Sequence, residues 1–294
     1  MRQIKCTTAG AVTPIIAERR AGSAVQCASG VVAGHWLYSR VTKGNRTNLK
    51  CIMVDYESAV IAVRDMSADL VARMADLYLD NYDGTSVEIF RNDLACKDEA
   101  VVLIVQGRLV GFTTLQVYVS RTAGKPVRIV YSGDTIVDRR HWGQQQLAFA
   151  WIRRIGEIKA QAPDLPLYWL LLVKGHRTFK YLSVFSRSFH PHWQLERPDL
   201  KPLADRLARE RFGADYNSQT GVVEFSKSRG HLKPDIASPT GRELARPDTR
   251  FFVESNPGFR RGHELVCICE LEPANMKPLA ARIFGRSQRS LLAV

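Results

Sequence analysis

The sequence predicts a mixed α/β (α+β) fold, in which helices flank a central sheet. In segment 127–160, a β-branched and aromatic stretch runs through a turn that contains Gly143 into a pattern of helical period. Residues 100–119 have the pattern of a β-hairpin. Leu167–Val173 is an unbroken apolar run, which is typical of a strand buried on both faces. The chain has 294 residues, enough for one full hydrophobic core.

The elements before the glycine turn are predicted from caps and alternation. Ser67 and Ser86 are residue types that cap helices, and each precedes an apolar pattern of helical period. In order, we expect a strand at 58–63, a helix from Ser67 to about Tyr82, a second helix from Ser86, and hairpin strands at 100–105 and 109–119.

The elements after the glycine turn become less regular toward the C-terminus. We expect a helix from Gly143 to about Ala160, the buried strand 167–173, helices at 177–189 and 200–212, and strands at 222–225, 251–254 and 264–271. The stretch 227–250 is rich in Pro, Gly and Ser, and it predicts a long loop.

Charge is distributed unevenly along the chain, whose formal net charge is +13. Residues 1–50 carry 8 Lys/Arg and 1 Asp/Glu, whereas residues 51–195 carry 17 and 15. The segment 1–50 is therefore predicted to be a basic, disordered N-terminal extension. A basic arm for nucleic acid or a membrane surface is one interpretation of it. We favour an extension without function, with the working protein starting near Met53.

The rest of the chain is predicted to have two parts. Residues 51–193 would form the core that binds the ligand, and residues 194–294 would complete the sheet, with the long loop near 227–250. No apolar stretch is long enough to span a membrane, and we expect no signal peptide and a cytoplasmic location. The six cysteines lack zinc-site spacing, so we expect reduced thiols and no metal.

The glycine turn predicts an anion site. A strand that enters a helix through a tight turn leaves backbone N–H groups free, and the helix dipole adds partial positive charge there. Arg139 and Arg140 add two full charges. The turn fits neither the P-loop nor the dinucleotide-binding pattern.

The segment Arg140-His141-Trp142-Gly143-Gln144-Gln145 resembles the signature of the GNAT acyltransferases, which is Gln or Arg, two residues, Gly, one residue, then Gly or Ala. Gln145 departs from the final small residue. The order of the predicted elements over about residues 58–191 also resembles that superfamily. The resemblance implies a mostly antiparallel central sheet with a splayed parallel strand pair, here 132–137 and 167–173.

The resemblance further implies an N-acyltransferase. The donor would be acyl-CoA, with acetyl or a longer acyl group, or alternatively an acyl-carrier protein, and the acceptor a small-molecule or peptide amine. The turn would bind the pyrophosphate and the splayed strands the pantetheine arm. The implied donor-binding residues are Ile136, Val137, Arg139, Arg140, His141, Trp142, Gly143, Gln144 and Gln145.

Three side chains are candidates for acid–base catalysis. Asp134 would be the base or would orient a water; the alternative is a bulged strand whose Asp bonds local backbone. Tyr181 would protonate the leaving thiolate, or else it is a core residue. His176 is an alternative base, since imidazole titrates near neutrality, or else it is a solvated loop residue.

Two other functions stay open beside the acyltransferase. The long side chain of Gln145 would crowd a pyrophosphate. Three alternatives follow: CoA binds in a shifted position, an acyl-carrier protein is the donor, or the protein is a catalytically silent scaffold. A nucleic-acid-binding protein would use the basic arm, but it is not favoured, because basic and aromatic residues are not interleaved on any predicted element.

Overall fold

A computed structural model describes the backbone of residues 35–43 and 46–292, and the side chains of residues 55–289. The chain divides into two units, Met1–Tyr56 and Glu57–Val294. Residues 1–34 of the predicted extension lie outside the described residues.

The first unit contains an antiparallel hairpin of β1 (His35–Lys43) and β2 (Arg46–Val54). The prediction of disorder up to residue 50 is therefore wrong for the two strands. The average charge and composition of the whole segment hide the β-branched and aromatic residues of 36–54, which favour strands.

The second unit alternates strands and helices. Its strands are β3 (Glu57–Ala62), β4 (Tyr82–Asp83), β5 (Glu99–Val105), β6 (Arg108–Thr122), β7 (Lys125–Val137), β8 (Leu167–Val173), β9 (Tyr216–Asn217), β10 (Val222–Val223), β11 (His231–Leu232) and β12 (Glu264–Glu270). Its helices are α1 (Ala68–Leu79), α2 (Val87–Ala95), α3 (Gln146–Gln161), α4 (His176–Phe185), α5 (Lys201–Phe212), α6 (Pro234–Ala237), α7 (Gly241–Leu244), α8 (Pro247–Ser255) and α9 (Pro278–Leu292).

Eight strands form one sheet in the order β3-β5-β6-β7-β8-β12-β10-β9. Neighbouring strands are antiparallel except β7 and β8, which are parallel. The predicted fold class, a mostly antiparallel sheet with one parallel pair and flanking helices, is confirmed. The strand predicted at 264–271 is β12, and it pairs with the buried strand β8.

The parallel pair diverges in the middle of the sheet. Pairing between β7 and β8 ends at Ser132 and Leu171, although both strands continue. On its other side, β7 stays paired with β6 to Val137, with a bulge between Leu115 and Thr113. Because the bulge inserts one extra residue in β7, it changes the direction of the strand where the gap opens. This gives the splayed pair that the GNAT resemblance implied.

Helices cover both faces of the sheet. We call the front face the one on which α1 and α2 pack around Phe112 and Ile136, and α5 packs around Tyr131 and Leu172. On the opposite, back face, α3 and α4 bring Trp151 and Phe185 onto Trp169 of β8. Ser67 and Ser86 cap α1 and α2 as predicted, by accepting hydrogen bonds from the N–H groups of Leu70 and Ile89.

Two predictions after residue 226 are wrong. The segment 227–250 is not one long loop, because it contains β11, α6, α7 and the start of α8. Residues 251–254 belong to α8 rather than to a strand. Pro247 at the first turn of α8 and the capping box of Thr240 and Glu243 on α7 supply the local start signals. The helix predicted at 177–189 is also shorter, ending at Phe185.

Candidate active site

The bulge of β7 forms the floor of a large cleft on the front face. The cleft has a volume of about 520 Å³, within the range of small-molecule sites. Its walls come from α1 and α2 on one side and from the C-terminal third of the chain on the other. We call it the front cleft; its lining includes Tyr78, Tyr82, Asp93, Tyr131, Asp134, Lys174, Arg211, Phe225, Arg229 and Glu264.

Gly133 permits the close packing beneath this floor. A Cβ atom there would lie 2.4 Å from Thr114 Oγ1 and 2.6 Å from Lys97 Cε. Any larger residue would push the bulge away from β6 and from the buried Lys97 side chain. The glycine therefore fixes where the next residue, Asp134, enters the cleft.

Asp134 faces an unusual electrostatic environment. Burial raises the pKa of its carboxyl to about 7; Asp93 and Glu264 add to the rise, while Lys174 and Lys97 oppose it. Within the part of the chain that the structure describes, neither a hydrogen bond nor an ion pair holds this carboxylate. The bulged-strand alternative holds for the backbone, but no bond to local backbone is seen. A carboxyl with a pKa near neutrality can accept and return a proton.

The other two carboxylates of the front cleft are paired with lysines. Lys97 Nζ lies 2.6 Å from Asp93 Oδ2, and Lys174 Nζ lies 3.1 Å from Glu264 Oε1. Burial lowers the pKa of Lys174, but Glu264 and Asp134 outweigh this effect and raise it. Lys174 therefore stays charged beside Asp134.

A second, small cavity lies on the back face, directly behind the bulge. We call it the back cavity; its volume is about 20 Å³, and it is lined by Thr113, Ser132, Thr135, Leu147, Ala148, Trp151, Trp169, Tyr181 and Phe185. Ser132 and Thr135 line the front cleft as well. The two spaces therefore lie on opposite sides of β7, next to the point where it separates from β8.

Tyr181 lies in the back cavity, one helix turn from Phe185 on α4. The two rings stack with centroids 5.7 Å apart, and burial raises the pKa of the Tyr181 phenol. The structure thus places Tyr181 and Asp134 on opposite sides of the same gap. Behind them, Trp169 Nε1 donates a hydrogen bond of 2.9 Å to Ser132 Oγ and fixes the lining.

The glycine turn precedes α3 as predicted. Gly143 has φ +89°, which favours glycine, and a Cβ there would meet open space. The N–H groups of Gln146 and Leu147 donate to the Gln144 side-chain oxygen, at 2.6 and 3.3 Å. The first turn of α3 is therefore capped by the chain itself, at the place where an anion would bind.

Both arginines of the turn contact carboxylates. Arg139 forms an ion pair with Asp235, and Arg140 with Asp138, whose pKa is lowered by this partner. Trp142 is 41% exposed and donates from Nε1 to the carbonyl of Val137 at 2.9 Å. Three other residues are predicted to bind the acyl donor. Ile136 is buried beneath α1 and α2, and His141 and Gln145 lie in the turn.

His176 lines neither the front cleft nor the back cavity. It is buried at the start of α4, and its Nε2 lies 3.3 Å from Glu243 Oε1. Burial lowers the pKa of His176, while Glu243 opposes the shift. Arg177 binds the same carboxylate at 2.9 Å. The interpretation of His176 as a solvated loop residue is wrong, because α7 covers the ring.

Most charged residues of the front cleft were not identified from sequence. Arg211, Arg229 and Glu264 lie far along the chain from β7. Glu264 carries a usable signal, since it is a charged residue directly before five apolar residues of β12. Among the described residues, no group of three or more His, Cys, Asp or Glu side chains could hold a metal ion. None of the described helices is long and apolar enough to cross a membrane.

Several solved structures resemble this chain in part. A probable N-acyltransferase from Enterococcus faecalis aligns at TM-score 0.35 and 12% identity, over 45% of this chain and 33% of that one. The GNAT-family N-acetyltransferase YhbS from Escherichia coli, in complex with CoA, aligns at TM-score 0.32 and 14% identity, over 44% and 68%. An acetyltransferase from Trypanosoma brucei aligns at TM-score 0.34 and 20% identity, over 49% and 100%.

Each of these alignments covers less than half of this chain. This chain spans one third of the length of the Enterococcus protein. No family model and no curated protein sequence matches it.

Proposed function

We propose that this protein is an N-acyltransferase that moves an acyl group from acyl-CoA to an amine. One observation carries the proposal: the front cleft and the back cavity lie on opposite faces of the sheet and share Ser132 and Thr135 where β7 and β8 separate. Two substrates that enter from opposite faces can meet only in this gap. The donor would occupy the back face beside the glycine turn, and the amine would occupy the front cleft.

The residues of the gap support a direct transfer. The amine nitrogen attacks the thioester carbonyl carbon, and the C–S bond breaks. Asp134 takes the proton from the amine, which its pKa of about 7 permits at neutral pH. Tyr181 gives a proton to the leaving thiolate from the other side. Most of the rate would come from holding the two substrates in line.

A catalytically silent scaffold is the second candidate. The observation that favours it is the size of the back cavity, about 20 Å³, which is room for about one water. Gln144 also occupies the N–H groups that a phosphate would use. Under the acyltransferase proposal, Gln144 and the aromatic side chains behind the bulge move when the donor binds.

Thermal unfolding of the full chain with CoA and with acetyl-CoA tests the proposal. A ligand at about 100 times its Kd adds about 2.7 kcal/mol to the free energy of unfolding, which gives a clear rise in Tm. Gly143→Trp should abolish the rise. Gly124→Trp is the matched control, because Gly124 also has a positive φ and open space around it, in the β6–β7 turn.

The outcomes separate the two candidates. A rise in Tm that Gly143→Trp removes and Gly124→Trp keeps, together with thiol release from acetyl-CoA in the presence of an amine, supports the acyltransferase. A rise without thiol release for any amine supports the silent scaffold. If neither CoA nor acetyl-CoA raises the Tm, a CoA donor is refuted. The same assay would then be repeated with an acyl-carrier protein as the donor. The acyl chain and the cytoplasmic location stay predictions.

A further inference from the structure

The charges of the front cleft indicate the chemical class of its ligand. Three carboxylates line the cleft, those of Asp93, Asp134 and Glu264. Asp93 and Glu264 are neutralised by Lys97 and Lys174. Burial favours the neutral form of Asp134, whose pKa is about 7. The acidic residues of the cleft therefore leave little net negative charge for a ligand.

Two arginines on the opposite wall have no such partner. Arg211 lies in the last turn of α5, and Arg229 lies between β10 and β11. Among the described residues, neither forms an ion pair with a carboxylate. Arg211 lies over the Tyr131 ring at 3.8 Å and donates to Gln116 Oε1 at 2.8 Å. Arg229 lies over the Phe225 ring at 4.6 Å.

The aromatic contacts hold the two guanidinium groups on one side of the cleft. Phe225 meets Phe212, the neighbour of Arg211, with ring centroids 6.0 Å apart. Stacking on a ring leaves the edge of a guanidinium, where its N–H donors lie, available for a planar or tetrahedral anion. The wall thus presents fixed donors with net positive charge.

We propose that the acceptor is an amine that also carries an anionic group, a carboxylate or a phosphate, which Arg211 and Arg229 bind. This inference rests on the proposed function, because it places the amine of the same ligand at Asp134. Tyr131 connects the two ends, since it contacts Arg211 and precedes Asp134 by three residues on β7. The anion would set which amines enter and which nitrogen reaches the gap.

Matched pairs of amines test the proposal on the full chain. The ω-amino carboxylates from glycine to 6-aminohexanoate are compared with their neutral carboxamides, and phosphoethanolamine with ethanolamine. Binding is measured by calorimetry, and thiol release from acetyl-CoA is measured in parallel. At the best spacing, the anionic member should bind at least about tenfold more tightly, as expected for charge-assisted hydrogen bonds.

Substitutions assign this preference to the two arginines. Arg211→Gln and Arg229→Gln should each reduce it, and the double variant should bring it to about twofold or less. Arg209→Gln is the control, because Arg209 lies exposed on the same helix and does not line the cleft. Arg229 is exposed and is the safer variant for folding, which Tm checks directly.

Each result decides the proposal. No preference for the anionic member at any spacing, or a preference that survives in the double variant, overturns it. Thiol release with neutral and anionic amines alike would refute the anion site and keep the acyltransferase. Arginine-dependent binding of the anionic amines with no CoA-induced rise in Tm would keep the anion site and refute the proposed function. The carboxylate and phosphate series separate the two kinds of anion.

Discussion

The two faces of the sheet at the β7 bulge differ in how ready they are for a ligand. The front cleft is open, about 520 Å³, and lined by charged and aromatic side chains. The back cavity is about 20 Å³, and Trp151, Trp169 and Phe185 close around it. Under the proposed function, the acceptor side is thus formed in advance, whereas the donor side must open.

This difference has a physical cause in the side chains behind the bulge. On the front face, Asp134 and its lysines are polar groups that gain by contact with water or a polar ligand. On the back face, apolar rings that lose contact with one another would expose area to water. If the acyl donor binds there as proposed, its apolar contacts must replace the packing between the rings that it displaces.

The largest effect should come from Asp134→Asn. The rate of acyl transfer should fall about 10²- to 10⁴-fold, because the amide cannot accept the proton of the amine. The wild-type rate should rise with pH and level off above about 7, the pKa of Asp134. Asp164→Asn, at an exposed position in the loop before β8, should keep the wild-type rate and pH profile.

Stability gives a second measurement on the same variant. The folded-state pKa of Asp134, about 7, lies above its ordinary value of 3.8. The contribution of Asp134 to the free energy of unfolding is therefore most favourable below pH 4 and is lost as the pH rises through 7. Relative to wild type, Asp134→Asn should therefore gain stability between pH 4 and pH 8 in urea unfolding. A wild-type rate in this variant would rule out Asp134 as the base.

Local patterns predicted the elements that build the gap but not the residues that meet in it. The strand, glycine turn and helix around Gly143, the hairpin and the apolar strand β8 were all evident from period and turn residues. The cleft walls depend on pairing between distant segments. Leu265 pairs with Val173, which brings Glu264 beside Lys174, and no local signal encodes this register.

The predictions for the segment after residue 226 are wrong for a different reason. Its helices α6 and α7 have four residues each, too short for a period to be recognised. They are held by long-range contacts instead: Asp235 pairs with Arg139, and Glu243 with Arg177. Such short helices gain their stability from tertiary contacts, which the sequence pattern does not show.

Gln144→Ala should have an intermediate effect, on the donor side. The Gln144 oxygen caps the N–H groups of Gln146 and Leu147, and a phosphate would need the same donors. Loss of the cap should cost about 0.5–2 kcal/mol of stability, and it should lower the Kd for CoA about three- to tenfold by removing the competitor.

Ser67→Ala is the matched control for this variant. It removes the cap of α1, where Ser67 Oγ accepts from the Leu70 N–H at 3.1 Å, and should cost similar stability without changing CoA affinity. Calorimetric titration with CoA measures the affinity, and thermal unfolding measures the stability. Weaker CoA binding in Gln144→Ala would mean that Gln144 helps to hold the donor, which contradicts competition for the N–H groups.

The smallest effect on the rate should come from His176→Gln. The ring of His176 is buried against Glu243 and lines neither cavity, so the rate of acyl transfer should stay within about twofold of wild type. Stability should fall by about 1 kcal/mol, because the bond to Glu243 beneath α7 is disturbed. The comparison with Asp134→Asn decides between the two candidate bases. If His176→Gln removed the pH dependence near 7 and Asp134→Asn kept it, the base would be His176 on α4 and not Asp134 in the front cleft.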